Sequence, residues 1–331
     1  MTSQTVGGFD LSVYLDNLKE KQEKSKPAQV FLNHFSAICF HIENGDLEGS
    51  LLVLKHFQEM KEGACKCDHE TIRKALYNCW STEYALRLTA NQDNDDFLGV
   101  AIQWALPQAY YSVYQSLNAF IRTSGAITST HTSAIKKFAE LMKSGKYPDC
   151  LSFYCDGDYK QLNFSNLPLK GSKSSLARIK SNEDAQTQIG MLLKGTREEL
   201  AEQLKTERQK SAKPILTKDG KVLRAFSNKQ WAEIIKPNQV TTLYDFLYRL
   251  RLKANYKDIE SLICAEINFV EFHDCIHKIV GYINLVHEAY IAKSIGASAY
   301  NELVTNFPKH PRHQPVVLDR WHQQIIGLIT Y

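Results

Sequence analysis

The sequence predicts an all-α fold with one short β-hairpin. Three observations carry that expectation. Apolar residues recur at three- and four-residue spacing in segment after segment. Capping and turn residues separate those segments, and strand patterning is confined to one short stretch. The composition is that of an ordinary globular chain: 331 residues, 44% hydrophobic and 23% charged.

Taken in order, residues 1–27 read as a polar leader with a short helix near 11–24, closed by Lys26-Pro27. Residues 28–61 read as a helical hairpin. Phe31, Phe35, Ile38, Cys39 and Ile42 share a face, Asn44-Gly45-Asp46 is the turn, and the helical period resumes over 47–61. Asp68 is a good N-cap for a helix running to about residue 91. From Phe97 an apolar pattern continues to Ser124, and Pro107 inside it predicts a kink or a break. Residues 130–144 form another helix, with Ile135, Phe138, Leu141 and Met142 on one side.

The chain then changes character. Residues 157–237 hold 16 Lys and Arg against 9 Asp and Glu, more excess than the whole chain's net charge of +4. A charged helix is expected over 183–210, then a short β-hairpin over 214–224 with Asp219-Gly220 at its turn. Ser227 caps a helix that Pro237 stops. This segment reads as a basic insertion, which suits either a nucleic-acid backbone or a solvated linker. Leu243, Phe246, Leu247 and Leu250 form the apolar face of the next helix, and Arg249 and Arg251 flank it on opposite sides. Helices follow over 256–263, 269–294 and 300–307. A stiff basic stretch, 308–315, leads to a terminal helix with Trp321, Ile325, Ile326 and Leu328 as its packing face. The expected division is 1–67 leader and hairpin, 68–155 first bundle part, 156–240 basic insertion, 241–307 second bundle part and 308–331 tail helix.

Several function classes are excluded by what the chain lacks. It has no glycine-rich phosphate loop and no Gly-x-Ser-x-Gly nucleophile motif. It has no apolar run of about 18 residues and no basic-then-apolar start, so a cytoplasmic location away from membranes is expected. The mild basic balance permits a nucleic-acid partner without demanding one. Eight cysteines then read as reduced thiols. Cys65, Cys67 and His69, and the pair His273 and His277, offer ligand atoms. Neither group makes the two well-spaced pairs of a structural zinc site. No metal and no cofactor are expected.

Two distant stretches carry a family resemblance. The first is Ala109-Tyr-Tyr-Ser-Val-Tyr, leading through Arg122 to Thr130-His131-Thr132-Ser133. The second is Leu250-Arg-Leu-Lys-Ala-Asn-Tyr256. In that order they resemble the HEPN superfamily, closest to prokaryotic members encoded beside minimal nucleotidyltransferases. Asn255 replaces that group's Asp. The likeness covers about 68–155 and 241–300.

The resemblance implies an all-α, HEPN-like up-and-down helical bundle, with the basic segment and its short β-hairpin inserted in it, that forms a homodimer with its cleft at the seam. It implies an RNA or nucleotide ligand, and a partner nucleotidyltransferase or other defence subunit. It also implies a metal-independent endoribonuclease of a bacterial defence or toxin–antitoxin system, or a catalytically degenerate RNA-binding or assembly subunit. Arg251 would bind phosphate, since its guanidinium offers a fixed fork of donors. His131 or Tyr256 would move the proton, and Asn255 would orient the substrate. The family's usual Arg-then-His signature is broken here, because Asn255 and Tyr256 stand where the His belongs. For His131 a capping or packing role stays open beside the catalytic one. Tyr111, Arg122, Arg249, Lys173 and Lys180 are the expected nucleic-acid contacts.

Overall fold

The computed structural model describes residues 11–45, 51–92, 94–157, 162–165, 167, 176, 178–235, 239–256, 260–308 and 314–329. It is mostly helical. The helices are α1 (Leu11–Glu43), α2 (Lys55–Gln58), α3 (His69–Ala90), α4 (Asp95–Thr123), α5 (His131–Lys143), α6 (Asn182–Lys210), α7 (Asn228–Ile234), α8 (Leu243–Tyr256), α9 (Glu260–Ile263), α10 (Phe269–Ile295), α11 (Ala297–Thr305) and α12 (Gln314–Asp319). A π-helical turn, Arg320–Ile325, carries α12 into a last α-helical turn, Ile326–Ile329. Three short strands, β1 (Tyr154–Gly157), β2 (Leu162–Ser165) and β3 (Thr241–Thr242), form an antiparallel sheet in the order β2-β1-β3. Among the described residues no helix is long and apolar enough to cross a membrane.

The central layer is α3, α4 and α10, with α1 and α8 against it. α10 is apolar nearly all round, and its buried residues run from Phe269 to Ile295, as suits a helix enclosed on every side. The caps follow side-chain chemistry. Asp68 accepts the Glu70 N–H, Asn94 the Phe97 N–H and Asn268 the Glu271 N–H. Thr130 and Ser133 form a reciprocal capping box at α5.

Four expectations need correction. The leader helix and the first hairpin helix are one element, α1, which runs through Pro27. The second hairpin arm is not one helix over 47–61; its described part is a terminal turn near Leu51 and the four-residue α2. Pro107 does not break α4, which is continuous for 29 residues. At both prolines the flanking turns keep their own bonds and bury apolar side chains, and that burial outweighs one lost backbone hydrogen bond. The fourth concerns 256–263, where only the four-residue α9 is described as helix beyond Tyr256.

The basic segment 156–240 is divided by its packing. Ala185, Ile189, Leu192 and Leu193 of α6 belong to the main core. Arg197 is fully buried and donates to Gln239 O (2.6 Å), Thr241 Oγ1 (3.1 Å) and Gly157 O (2.5 Å), which pins the sheet to α6. Beyond it, Ala201, Trp231 and Ile235 form a small second core with Leu204, Phe226 and Ile234. The expected hairpin projects there. Leu216 pairs with Val222, Leu223 N–H bonds Ile215 O at 2.8 Å, and Gly220 supplies the positive φ of the turn (75°).

Candidate functional site

The site forms where α8 crosses α4 beside the start of α5. Tyr244, Tyr248 and Arg251 fall at i, i+4 and i+7 on α8, so one stripe carries all three. Tyr110 and Tyr114 repeat that spacing on α4, with Tyr111 beside them. Asp245 fixes the register of α8, accepting the Thr242 N–H (2.8 Å) and the Thr242 hydroxyl (2.9 Å). Burial pushes that carboxyl up to about 6, partly offset by the two Thr242 bonds.

Arg251 lies inside a tyrosine cage. Its Cζ is 5.5 Å from the Tyr110 ring centroid and 5.3 Å from those of Tyr111 and Tyr248. Each such contact is worth about 0.5–2 kcal/mol, most when water is excluded. Only 9% of Arg251 is exposed, and among the described residues its Nε and Nη1 have no hydrogen-bond partner. The cage thus satisfies the cation through ring faces and leaves donors unused. A buried guanidinium with unused donors carries a cost that a hydrogen-bond acceptor would relieve.

His131 closes one side. Its ring sits 5.0 Å from Tyr114, 5.5 Å from Tyr110, 5.7 Å from Tyr248 and 6.2 Å from Tyr111. Nδ1 meets the Tyr110 hydroxyl at 2.8 Å. Partial burial and then the charge of Arg251 hold the imidazole below its ordinary value, so it is neutral at pH 7. Burial pushes the Tyr110 phenol up, so it keeps its proton. The contact serves either tautomer: the phenol donates to a bare Nδ1, or Nδ1–H donates to the phenol oxygen. Capping of α5 falls to Thr130 and Ser133, so of the two structural roles open to His131 the structure assigns packing.

The structure therefore brings Arg251, Tyr111 and His131 into one cluster and adds Tyr110, Tyr114, Tyr244 and Tyr248. The four-residue spacing of these tyrosines was the available signal. Asn255 and Tyr256 end α8, and their side chains lie outside the described residues; so does Lys173. Arg122 is in the last turn of α4, about 16 Å along the axis from Tyr111 and electrostatically coupled to Cys67. Arg249 points away from the cage and pairs with Glu199, which also binds Lys253 at 3.3 Å. It lines an open groove of about 850 Å³ between α6 and α8. Lys180 is exposed just ahead of α6, where its backbone N–H bonds Asp184 at 3.2 Å.

A second polar cluster is buried apart from Arg87, whose side chain is 28% exposed. Arg320 bridges Glu83 of α3 and Glu288 of α10. Arg87 reaches Glu83 at 2.8 Å, Asn284 donates to Glu83 at 2.8 Å, and Tyr300 donates to Glu288 at 2.7 Å. Asn284 continues to Ser112 and Ser116, then to His287 and Tyr147. Cys79, Glu83 and Glu288 bring three metal-type ligand atoms within 4.8 Å, the one such group among the described residues. Arg320 is already ion-paired with both carboxylates there. The Cys65 and Cys67 thiols instead meet backbone carbonyls, Cys67 O at 3.5 Å and Asp68 O at 3.4 Å.

Fold and site together define a mostly helical protein with a caged arginine where two helices cross, two of its nitrogens without a hydrogen-bond partner among the described residues. Comparison with family models, curated proteins and solved structures returns no match in any of the three.

Proposed function

We propose that this chain is a HEPN-like RNA- or nucleotide-binding protein in which Arg251 holds a phosphate. The observation that carries the reading is the burial of Arg251 with Nε and Nη1 unpartnered among the described residues. His131, in the same cage, adds a second polar group beside it. The test is fluorescence anisotropy with a labelled single-stranded RNA, competed by a nucleoside monophosphate. Arg251→Ala weakens binding at least tenfold. Arg251→Lys recovers part of it, because lysine restores the charge without the planar fork. Equal affinity of the wild-type and Arg251→Ala proteins, with circular dichroism unchanged, removes the reading.

One observation favours cleavage as a second reading: His131 is neutral at pH 7 and stands in the arginine's cage. In the tautomer protonated on Nδ1, Nε2 takes the proton of a ribose 2′-hydroxyl. The 2′-oxygen attacks phosphorus, the bond to the 5′-oxygen breaks, and that oxygen takes a proton from water. The protein then acts as a toxin-like effector in the cytoplasm. A cyclic 2′,3′-phosphate product, and growth arrest relieved by both Arg251→Ala and His131→Gln, supports this arm. Binding without product leaves the binding reading alone.

A homodimer is part of the proposal. The outer face of α4 exposes Phe97 (51%), Val100 (59%), Trp104 (65%) and Tyr111 (37%). No charged residue occurs from Phe97 to Ile121. Depletion of charge with enrichment of Trp and Tyr is the composition of an interface core. Phe97 and Tyr111 lie seven residues either side of Trp104. A second copy, antiparallel about Trp104, sets Phe97 of each copy against Tyr111 of the other.

A further inference from the structure

The basic excess of the segment 156–240 has a definite place in the fold. Along α6 the charges are paired: Lys194 with Glu198, Lys205 with Glu202, and Arg249 and Lys253 with Glu199. From Arg208 to Arg224 the pairing stops. Arg208, Lys210, Lys213, Lys218, Lys221 and Arg224 are all exposed, and Asp219 is the sole acid among them. Among the described residues none of the six lies within ion-pair distance of a carboxylate.

The arm that carries them is firmly seated. Gln209 of α6 donates to Leu223 O at 2.8 Å, and Thr217 N–H bonds Lys221 O at 2.7 Å. Phe226 packs on Trp231 with ring centroids 5.4 Å apart, and the Lys205 ammonium lies 5.5 Å from the Trp231 centroid. From Lys213 to Lys218 the hairpin extends roughly 16 Å, so the cations line a rod rather than a point. A row of unneutralised cations on an ordered arm suits a polyanion, whose condensed counterions are released on binding.

We infer that the hairpin around Lys213, Lys218, Lys221 and Arg224 is a second docking site, taking the phosphate backbone of a single-stranded RNA. The inference rests on the reading of Arg251 as a phosphate site, and it extends the ligand from a nucleotide to a chain that reaches both places. RNA is favoured over an anionic bilayer because the arm has no aromatic residue to seat at a membrane interface. Its exposed apolar side chains are Leu216 and Val222 alone.

The test compares wild type with a variant carrying Lys213→Gln, Lys218→Gln, Lys221→Gln and Arg224→Gln. The probes are a single-stranded RNA of about 20 nucleotides and a nucleoside monophosphate, titrated from roughly 0.05 to 0.3 M salt. Four lost phosphate contacts make the RNA slope, log K against log salt, shallower by about 2–3. Mononucleotide binding stays unchanged and remains dependent on Arg251. An RNA slope unaltered in the variant overturns the hairpin site while leaving the Arg251 reading intact. Loss of the variant's affinity for phosphatidylserine vesicles with no change for RNA also overturns it, in favour of a membrane. Wild-type protein that binds neither probe overturns both readings.

Discussion

Replacing Arg320 by Met tests the buried cluster directly. Arg320 is 5% exposed, and its two carboxylate partners are still more buried, at 3% for Glu83 and 1% for Glu288. Methionine keeps much of the volume, so the cavity contribution is small and the charge contribution is isolated. Without Arg320 the pair holds two anions against one remaining cation, Arg87. Removing one partner of a buried ion pair costs about 3–5 kcal/mol, and that is the expected loss. The carboxylates differ in response. Burial raises Glu83, but Arg320 and Arg87 outweigh it and hold Glu83 down at about 2. Burial raises Glu288 above the usual carboxylate range despite Arg320. Glu288 therefore takes the proton once Arg320 is gone, and the deficit shrinks as pH falls. Adding Glu288→Gln to Arg320→Met removes one of the stranded anions and recovers at least half of the loss. Equilibrium urea unfolding followed by circular dichroism reads all three proteins. A loss under about 1 kcal/mol, or a double variant no more stable than Arg320→Met, refutes the reasoning.

His287 gives a pH signature. Burial holds it at about 3 against an ordinary 6.5, so the folded protein refuses a proton that the unfolded chain accepts. Its contribution is present above pH 6.5 and lost as pH falls toward 3, about 2 kcal/mol by pH 5. His287→Gln flattens the acid limb of stability against pH by up to one proton; an unchanged slope denies the assignment. His34, held near 4 by burial, acts in the same sense. Asp245, raised to about 6, opposes them, because its contribution is lost as pH rises. Trp104 is the exposed one of four tryptophans, with Trp80, Trp231 and Trp321 buried. Trp104→Glu yields a monomer by sedimentation where wild type is dimeric, and a wild-type monomer at high concentration refutes the seam. Tyr248→Leu removes one ring face from Arg251 and weakens phosphate binding several-fold with little change in melting temperature, by titration and calorimetry.

Much of the fold was legible because it rests on local chemistry. Asp68, Thr130 and Ser227 cap where short polar side chains precede helical periods, and Asp219-Gly220 turns the hairpin. The proline effects were overestimated at Pro27 and Pro107, since local rules carry no account of what neighbouring helices bury. The strands were missed because four-residue strands hold too few positions to show alternation. The juxtaposition of Tyr111, His131 and Arg251 was reachable only through resemblance, because no local signal joins residues more than a hundred apart. Glu83, Glu288 and Arg320 were illegible for the same reason. Singly, each looks like a solvated charge on a helix, and their meaning lies in one another.

The clasp made by Arg320 also has a bearing on how the chain comes together during synthesis. Its two bonds span 32 residues to Glu288 and 237 residues to Glu83. At roughly 5–20 residues per second, Glu83 and Arg87 are made about 12 to 47 s before Arg320, but Glu288 only about 2 to 6 s before it. In that short last interval, docking α3 on α10 confines two carboxylates with Arg87 as their one cation. The clasp therefore closes only once Arg320 is made.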